Sequence, residues 1–396
     1  MFYTYLSIYL REFLNLSVTE TTLYATLPMI MSVLFQNFVW GPISDRIQKR
    51  KTFIILGEIL AGIGTSLVWF IHLLATDFFI AGYIVIIGLT IIEAFWSMSN
   101  IGWSAIISDI YPSQERSKMM GQLSSIGGFG RLIGITIGGL LYNNGFGFRN
   151  GSLFIVASAV MFVSTLPMLF TPEGGIKLDL EFNNKLVNNN QQNDYNKKIF
   201  IIFIIALLFI NFGRNSISVT YSQYLVLEDG FNVDSVLLSY IANMRSIATL
   251  LFGFLAGNFS KKFGDSRTLI MGISLAVLAL LVTAMSDNLT LIFVGSFLLG
   301  TSEVIIIAAA YSIASMLIPA TTRGKLFGLY NTTFFLSWGL ACTVISGPII
   351  DILIYNGFSD ILSYQVSFIV AAIITSIGLI IIIALEIALH SKRVSA

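Results

Sequence analysis

The chain has 396 residues, of which 56% are hydrophobic and 11% charged, with a formal net charge of +1 and a mean hydropathy of +0.84. A soluble domain carries charge on about a quarter of its residues, so this chain lacks the polar surface that a water-soluble fold requires. Its near-neutral balance argues against nucleic acid or another polyanion as a partner and points to a lipid bilayer.

In chain order, the first twenty residues are apolar but interrupted by Arg11 and Glu12. No small-residue cleavage site follows, so the segment is not read as a signal peptide. Apolar stretches of about twenty residues, the length that crosses a bilayer, follow near 21–40, 52–74, 79–108, 118–142 and 151–170. A second set lies near 198–225, 236–257, 268–286, 289–317, 325–350 and 362–389. Runs such as IIFIIALLFI at 201–210 are continuously apolar rather than alternating. In lipid, where each backbone polar group needs an internal partner, they are expected to be helices. The expectation is an all-α membrane protein with eleven full spans and a partial first one. Residues 171–197, with Pro172, Gly174, Gly175 and an asparagine-rich tract, divide an N-terminal bundle (1–170) from a C-terminal bundle (198–396) and read as a flexible linker.

Assigning the loops alternately to two sides places seventeen Lys and Arg on one side and only Arg11 and Arg149 on the other. By the positive-inside rule the first side, with the linker and C-terminus, is predicted to be cytoplasmic. The two halves also repeat. Pro112-x3-Arg116-x-Lys118-x2-Gly121 recurs as Pro319-x3-Arg323-x-Lys325-x2-Gly328, and Gly41-Pro-Ile-Ser-Asp45-Arg46 as Gly257-Asn-Phe-Ser-Lys261-Lys262. Two matches in the same order indicate a duplicated bundle. The second match, at a spacing of 216, sets Tyr5 on Tyr221. Residues 198–220 precede Tyr221, whereas four residues precede Tyr5, so about nineteen residues of a first helix are expected upstream of Met1.

The stretch Gly41-Pro-Ile-Ser-Asp45-Arg46-Ile-Gln-Lys49-Arg50-Lys51 resembles the signature loop between helices 2 and 3 of the major facilitator superfamily, with Gln48 in place of the usual glycine. Gly121-x8-Gly130-x3-Gly134-Ile135-x2-Gly138-Gly139 resembles the helix 5 motif of the family's antiporters, with Ile135 in place of proline. The resemblance implies two pseudo-symmetric six-helix bundles, alternating access and a central cavity lined by helices 1, 4, 7 and 10. Gating roles are then expected for Gly41, Asp45, Arg46, Lys49, Arg50, Arg116, Gly130, Gly134, Gly138 and Arg323. Asp45 would accept hydrogen bonds at a facing helix N-terminus; Lys261 stands at the equivalent place in the second half, so that latch is expected once.

Ionisable side chains inside a membrane are costly and point to function. Glu58 and Glu386 lie near basic clusters and are read as reaching the interface. Glu93, Arg131, Arg214, Arg245 and Glu303 fall at mid-span. Of these, Glu93, Arg214 and Glu303 belong to helices expected to line the cavity, while Arg131 and Arg245 suit a gating or structural role across the seam. Glu93, Ser97, Asn100 and Ser104 form one polar stripe on helix 4, flanked by Trp96 and Trp103. Asn211, Arg214, Asn215, Ser218 and Ser222 do so on helix 7. A carboxylate in a partly dry cavity can bind and release a proton near neutral pH, and competition between proton and cargo would couple their movements. Arg214 would serve as counter-ion or anchor.

The expected function is therefore secondary active transport of a small organic solute, acting as a monomer in the cell membrane. It would be an exporter driven by the proton gradient, with no cofactor. Uptake of a sugar or organic anion is the alternative, and a non-transporting sensor of the same fold a more distant one. An enzyme would need a nucleophile–base pair or a metal site. The chain offers only His72 and His390, far apart, and a lone Cys342 in an apolar run, best read as packing.

Overall fold

Hydrophobic stretches this long, with no water to satisfy their backbones, fold as helices, and every regular element among the described residues is helical. The computed structural model describes residues 2–47, 49–110, 113–173, 197–318 and 323–394. The helices, in chain order, are α1 (Phe2–Ile8, widening into a turn at Tyr9–Phe13), α2 (Val18–Phe35, running on through Gln36–Trp40 and Gly41–Ile47), α3 (Arg50–Leu74) and α4 (Phe78–Ile110). Next come α5 (Ser113–Tyr142), α6 (Ser152–Leu169), α7 (Lys197–Asn215, resuming as Thr220–Val226) and α8 (Ser235–Phe263). The last four are α9 (Asp265–Met285), α10 (Leu289–Leu317), α11 (Arg323–Ala341, then Cys342–Ser346 and Gly347–Tyr355) and α12 (Asp360–Val394). Ten of these are long and apolar enough to cross a membrane, and α5 contributes a shorter apolar stretch at Ile126–Tyr142. The asparagine-rich tract expected to link two bundles lies, over residues 174–196, outside the described residues.

Local chemistry fixes the helix ends. Ser17 caps α2: its hydroxyl accepts from Glu20 N at 3.2 Å while the Glu20 carboxylate accepts from Ser17 N at 2.8 Å. The same carboxylate also accepts from Tyr83 Oη at 2.8 Å, which ties the start of α2 to α4. Asp234 and Asn288 cap α8 and α10 by accepting from Leu237 N and Leu291 N, without the reciprocal bond.

Helices α2 and α11 share an irregularity. In each, a Gly-Pro pair follows one wide turn whose hydrogen bond spans five residues, Gly41 N to Gln36 O and Gly347 N to Cys342 O. Proline has no N–H to give, and its ring crowds the carbonyl of the preceding turn. An added residue in the turn relieves that conflict. Helix α7 is interrupted too, between Asn215 and Thr220.

A set of hydrogen bonds joins the first six helices to the last six in the half of the molecule away from the basic loops. Ser7 Oγ meets Ser222 Oγ at 2.8 Å, and Gln223 Nε2 donates to Thr21 Oγ1 at 2.9 Å. Thr343 Oγ1 lies 2.6 Å from both Thr22 Oγ1 and Thr26 Oγ1, and Thr26 donates to Gly339 O at 2.6 Å. The carboxylate of Asp351 accepts from Val18 N and Thr19 N. Close approach here needs glycine: a Cβ on Gly347 would fall 2.8 Å from Thr19 Cα.

The α5–α8 pair shows how the two halves part. Near its start α8 lies hard against α5, where Ser235 Oγ donates to Gly139 O at 2.8 Å and Asn243 Nδ2 to Thr136 Oγ1 at 2.9 Å. Toward the basic loops the helices diverge. A Cβ on Gly128 would reach Leu250 only at 3.8 Å, and one on Gly127, Gly130 or Gly253 would meet nothing within 4 Å. Among the described residues, α5 and α8 are thus packed together at the end away from the basic loops and apart toward them.

Candidate functional site

Glu93, Arg131, Arg245 and Glu303 lie at least ten residues from either end of their helices, about 15 Å or more at 1.5 Å per residue, and Arg214 stands where α7 is interrupted. They form two groups, one around Glu93 in the first six helices and one around Glu303, on which Arg131 acts from across the seam between the first and last six helices.

The first group centres on Glu93 of α4, which is buried. Its carboxyl lies against the hydroxyl of Ser32 on α2, and that hydroxyl accepts from Gln36 Nε2 at 2.8 Å. Tyr3 of α1 also faces it, stacked on Tyr24 at 5.7 Å between centroids. Trp40 Nε1 donates to Ala94 O at 2.5 Å, so α2 and α4 are pinned together beside the carboxyl. Among the described residues Glu93 has no ion pair.

The second group centres on Glu303 of α10. Arg245 of α8 grips one of its oxygens, Oε2, with Nη2 at 2.7 Å and Nε at 2.9 Å. Arg214 of α7 and Arg131 of α5 also lie within electrostatic reach of that carboxylate. Arg214 is 8% exposed and donates Nε to Asn211 Oδ1 at 3.1 Å. Arg131 is exposed on the diverging part of α5.

The other residues singled out from sequence take varied places. Asn211 donates to Thr333 Oγ1 at 3.3 Å and Asn215 to Ser337 Oγ at 3.0 Å, so both pin α7 to α11. Trp96 donates Nε1 to Glu58 Oε1 at 3.0 Å, and Ser99 reaches the same oxygen at 2.7 Å. Glu58, expected to reach the interface, instead accepts two hydrogen bonds from α4. Asn100 is exposed on α4. Ser97 turns back to Ala94 O at 2.8 Å.

At the expected gates, Arg46 and Lys49 are exposed, and Arg50 is buried with Nη1 2.5 Å from Ser44 Oγ. Gly41, Gly134 and Gly138 lie within helices, with Gly138 buried. The latch expected at Asp45, and the side chains of Arg116 and Arg323, lie outside the described residues. Cys342 is buried where α7 is interrupted, its thiol donating to Ser216 O at 2.7 Å. Tyr3, Ser32 and Asp351 escaped the reading from sequence. Asp351 alone left a trace, as an acid among the apolar residues of α11.

Chemically, Glu93 is a buried carboxyl with hydroxyl neighbours and no cation, able to take up a proton without breaking a salt bridge. Glu303 is instead committed to an ion pair with Arg245.

Comparison with known proteins accords with this architecture. A family model described as Major Facilitator Superfamily matches residues 1–184 and 203–394. Multidrug resistance protein 2 of Bacillus subtilis (strain 168) is 24% identical over 352 residues, 85% of this chain and 81% of that protein. Multidrug resistance protein MdtG of Yersinia enterocolitica is 26% identical over 308 residues, 74% of this chain and 68% of that one. Among solved structures, a point mutant of the nucleoside transporter NupG superposes with a TM-score of 0.74 at 14% identity, covering 97% of this chain and 95% of that one. The xylose transporter XylE from E. coli, inward open, gives 0.64 at 15% identity, with 94% and 92% covered.

Proposed function

The chain belongs to the Major Facilitator Superfamily, and on that premise we propose that it is a proton-coupled exporter of small organic compounds. Membership makes it a multi-pass membrane transporter of small-molecule substrates rather than an enzyme. The observation that carries proton coupling is Glu93, a buried carboxyl at mid-helix with no ion pair among the described residues. Burial without a counter-ion disfavours the charged form, so this group exchanges a proton with whichever side the cavity faces. Export is favoured by the relatives, which are named for multidrug resistance.

The mechanism follows from the two ends. The basic loops are cytoplasmic by the positive-inside rule, which makes the open end the cytoplasmic one. Cargo enters from that side and displaces the proton from Glu93. The two groups of six helices then rock about the central residues, α5 and α8 close at the basic end, and the contacts around Asp351, Thr343 and Ser7 part. A proton from outside reloads Glu93, and the cycle returns.

Everted membrane vesicles test the direction. With an acidified lumen they should accumulate labelled cargo, and a protonophore should abolish the accumulation. Accumulation by right-side-out vesicles alone would instead support uptake of a sugar or organic anion, the reading that the surplus of central arginines favours.

A further inference from the structure

The charges of the second central group do not balance. Glu303 supplies one negative charge, and Arg245 already neutralises it through two hydrogen bonds to one oxygen. Two further guanidinium groups, of Arg214 and Arg131, act on the same carboxylate. Around Arg214 the charged groups are Glu303 and Arg245, with the phenol of Tyr330 beside them. Its one hydrogen bond among the described residues is the one from Nε to Asn211 Oδ1, and no carboxylate lies within ion-pair distance. It is nevertheless nine-tenths buried, in the part of a membrane protein where an unpaired cation is most costly.

From this geometry we infer that Arg214 is the docking site for an anionic group on the cargo. The inference rests on reading the central residues as the cargo site. Asn211 holds the guanidinium through Nε, and the planar fork beyond suits a carboxylate or another oxyanion, to which it donates two parallel N–H bonds. Glu303 and Arg245 are the permanent pair that keeps the site in place. The acid that takes the proton, Glu93, stands on α4, across the seam from Arg214.

The direction of charge movement fits an exporter. An inside-negative membrane potential expels anions, and a proton entering in exchange moves charge in the same electrical sense. The cycle is then driven by the potential as well as by the pH gradient.

Equilibrium binding to the purified full-length chain tests the inference without any gradient. Three probes of one shape are compared: 1-naphthoate, 1-naphthamide and 1-naphthylmethylamine, titrated by microscale thermophoresis in detergent at neutral pH. We expect the carboxylate to bind at least tenfold more tightly than the amide, with the amine weakest. Arg214→Gln should cut that preference to within about threefold, and Arg214→Lys, which keeps the charge, should retain part of it. Equal or weaker binding of the carboxylate in the unaltered protein overturns the proposal, as does an undiminished preference in Arg214→Gln. Because binding needs no proton gradient, failure here leaves proton-coupled export standing. Proton-independent transport would conversely leave the anion preference standing.

Discussion

The carboxylate of Asp351, on α11, accepts hydrogen bonds from the backbone N–H groups of Val18 at 3.0 Å and Thr19 at 2.8 Å, at the first turn of α2. An acid from the last six helices thus caps a helix of the first six, where unpaired N–H groups and the positive end of the helix dipole favour it. This contact fastens the closed end. A charge–dipole latch was expected from the signature loop at Asp45, and here one stands at the opposite end of the same helix.

Removing the Asp351 latch should release the closed end. Hydrogen bonds to a charged group contribute about 1.5–3 kcal/mol, enough to move a two-state equilibrium about tenfold. Cys342, the chain's single cysteine, is buried against α7 on the same helix as Asp351 and reports on opening of this end. Asp351→Ala should speed its labelling by a membrane-impermeant maleimide added outside intact cells by roughly that factor. Unchanged labelling would show that the latch does not hold this end shut.

The Arg245–Glu303 pair should behave as a structural unit. Glu303→Gln leaves a partly buried guanidinium without its counter-ion and should cost about 2–3 kcal/mol, seen as a lower melting temperature in detergent. The double change Arg245→Met with Glu303→Leu, which removes both charges, should recover most of that loss. A double variant as unstable as the single one would count against the pair.

Trp96 should prove to be a packing residue. Its indole N–H is committed to Glu58, which also holds Ser99. Trp96→Phe should lower stability by about 1 kcal/mol with little change in the KM for transported cargo. A large rise in KM at unchanged stability would return Trp96 to the cargo site.

The glycines of α5 divide by position. A Cβ at Gly139 would fall 2.7 Å from Ser235 O and 2.8 Å from Ser239 Cβ, whereas one at Gly130 would meet nothing within 4 Å. Gly139→Ala should therefore destabilise the protein by about 1–3 kcal/mol. Gly130→Ala should leave the melting temperature unchanged yet slow transport, because α5 and α8 must meet at that end later in the cycle. Equal effects of the two on stability would argue against the divergence of α5 and α8.

Much of this was legible in the sequence, for physical reasons that also mark the limits. Apolar runs of bilayer length and the skewed Lys and Arg placement revealed helices, and the cost of burying charge singled out Glu93, Arg214, Arg245 and Glu303. Periodicity gives the face on which a residue lies but not the neighbour that meets it. Asn215 and Trp96 accordingly read as cargo-facing, whereas they bind Ser337 and Glu58. Asp351 finds its partner 332 positions away at Thr19, and no local pattern announces such a contact. The interruption of α7 after Asn215 was equally hidden.

The most direct test of proton-coupled export separates net transport from exchange. Proteoliposomes containing Glu93→Gln should fail to accumulate cargo against its gradient when a pH gradient is imposed, yet should exchange labelled for unlabelled cargo at the unaltered protein's rate without one. Full pH-driven accumulation by Glu93→Gln would contradict the assignment of Glu93 as the proton site and, with it, the coupling mechanism.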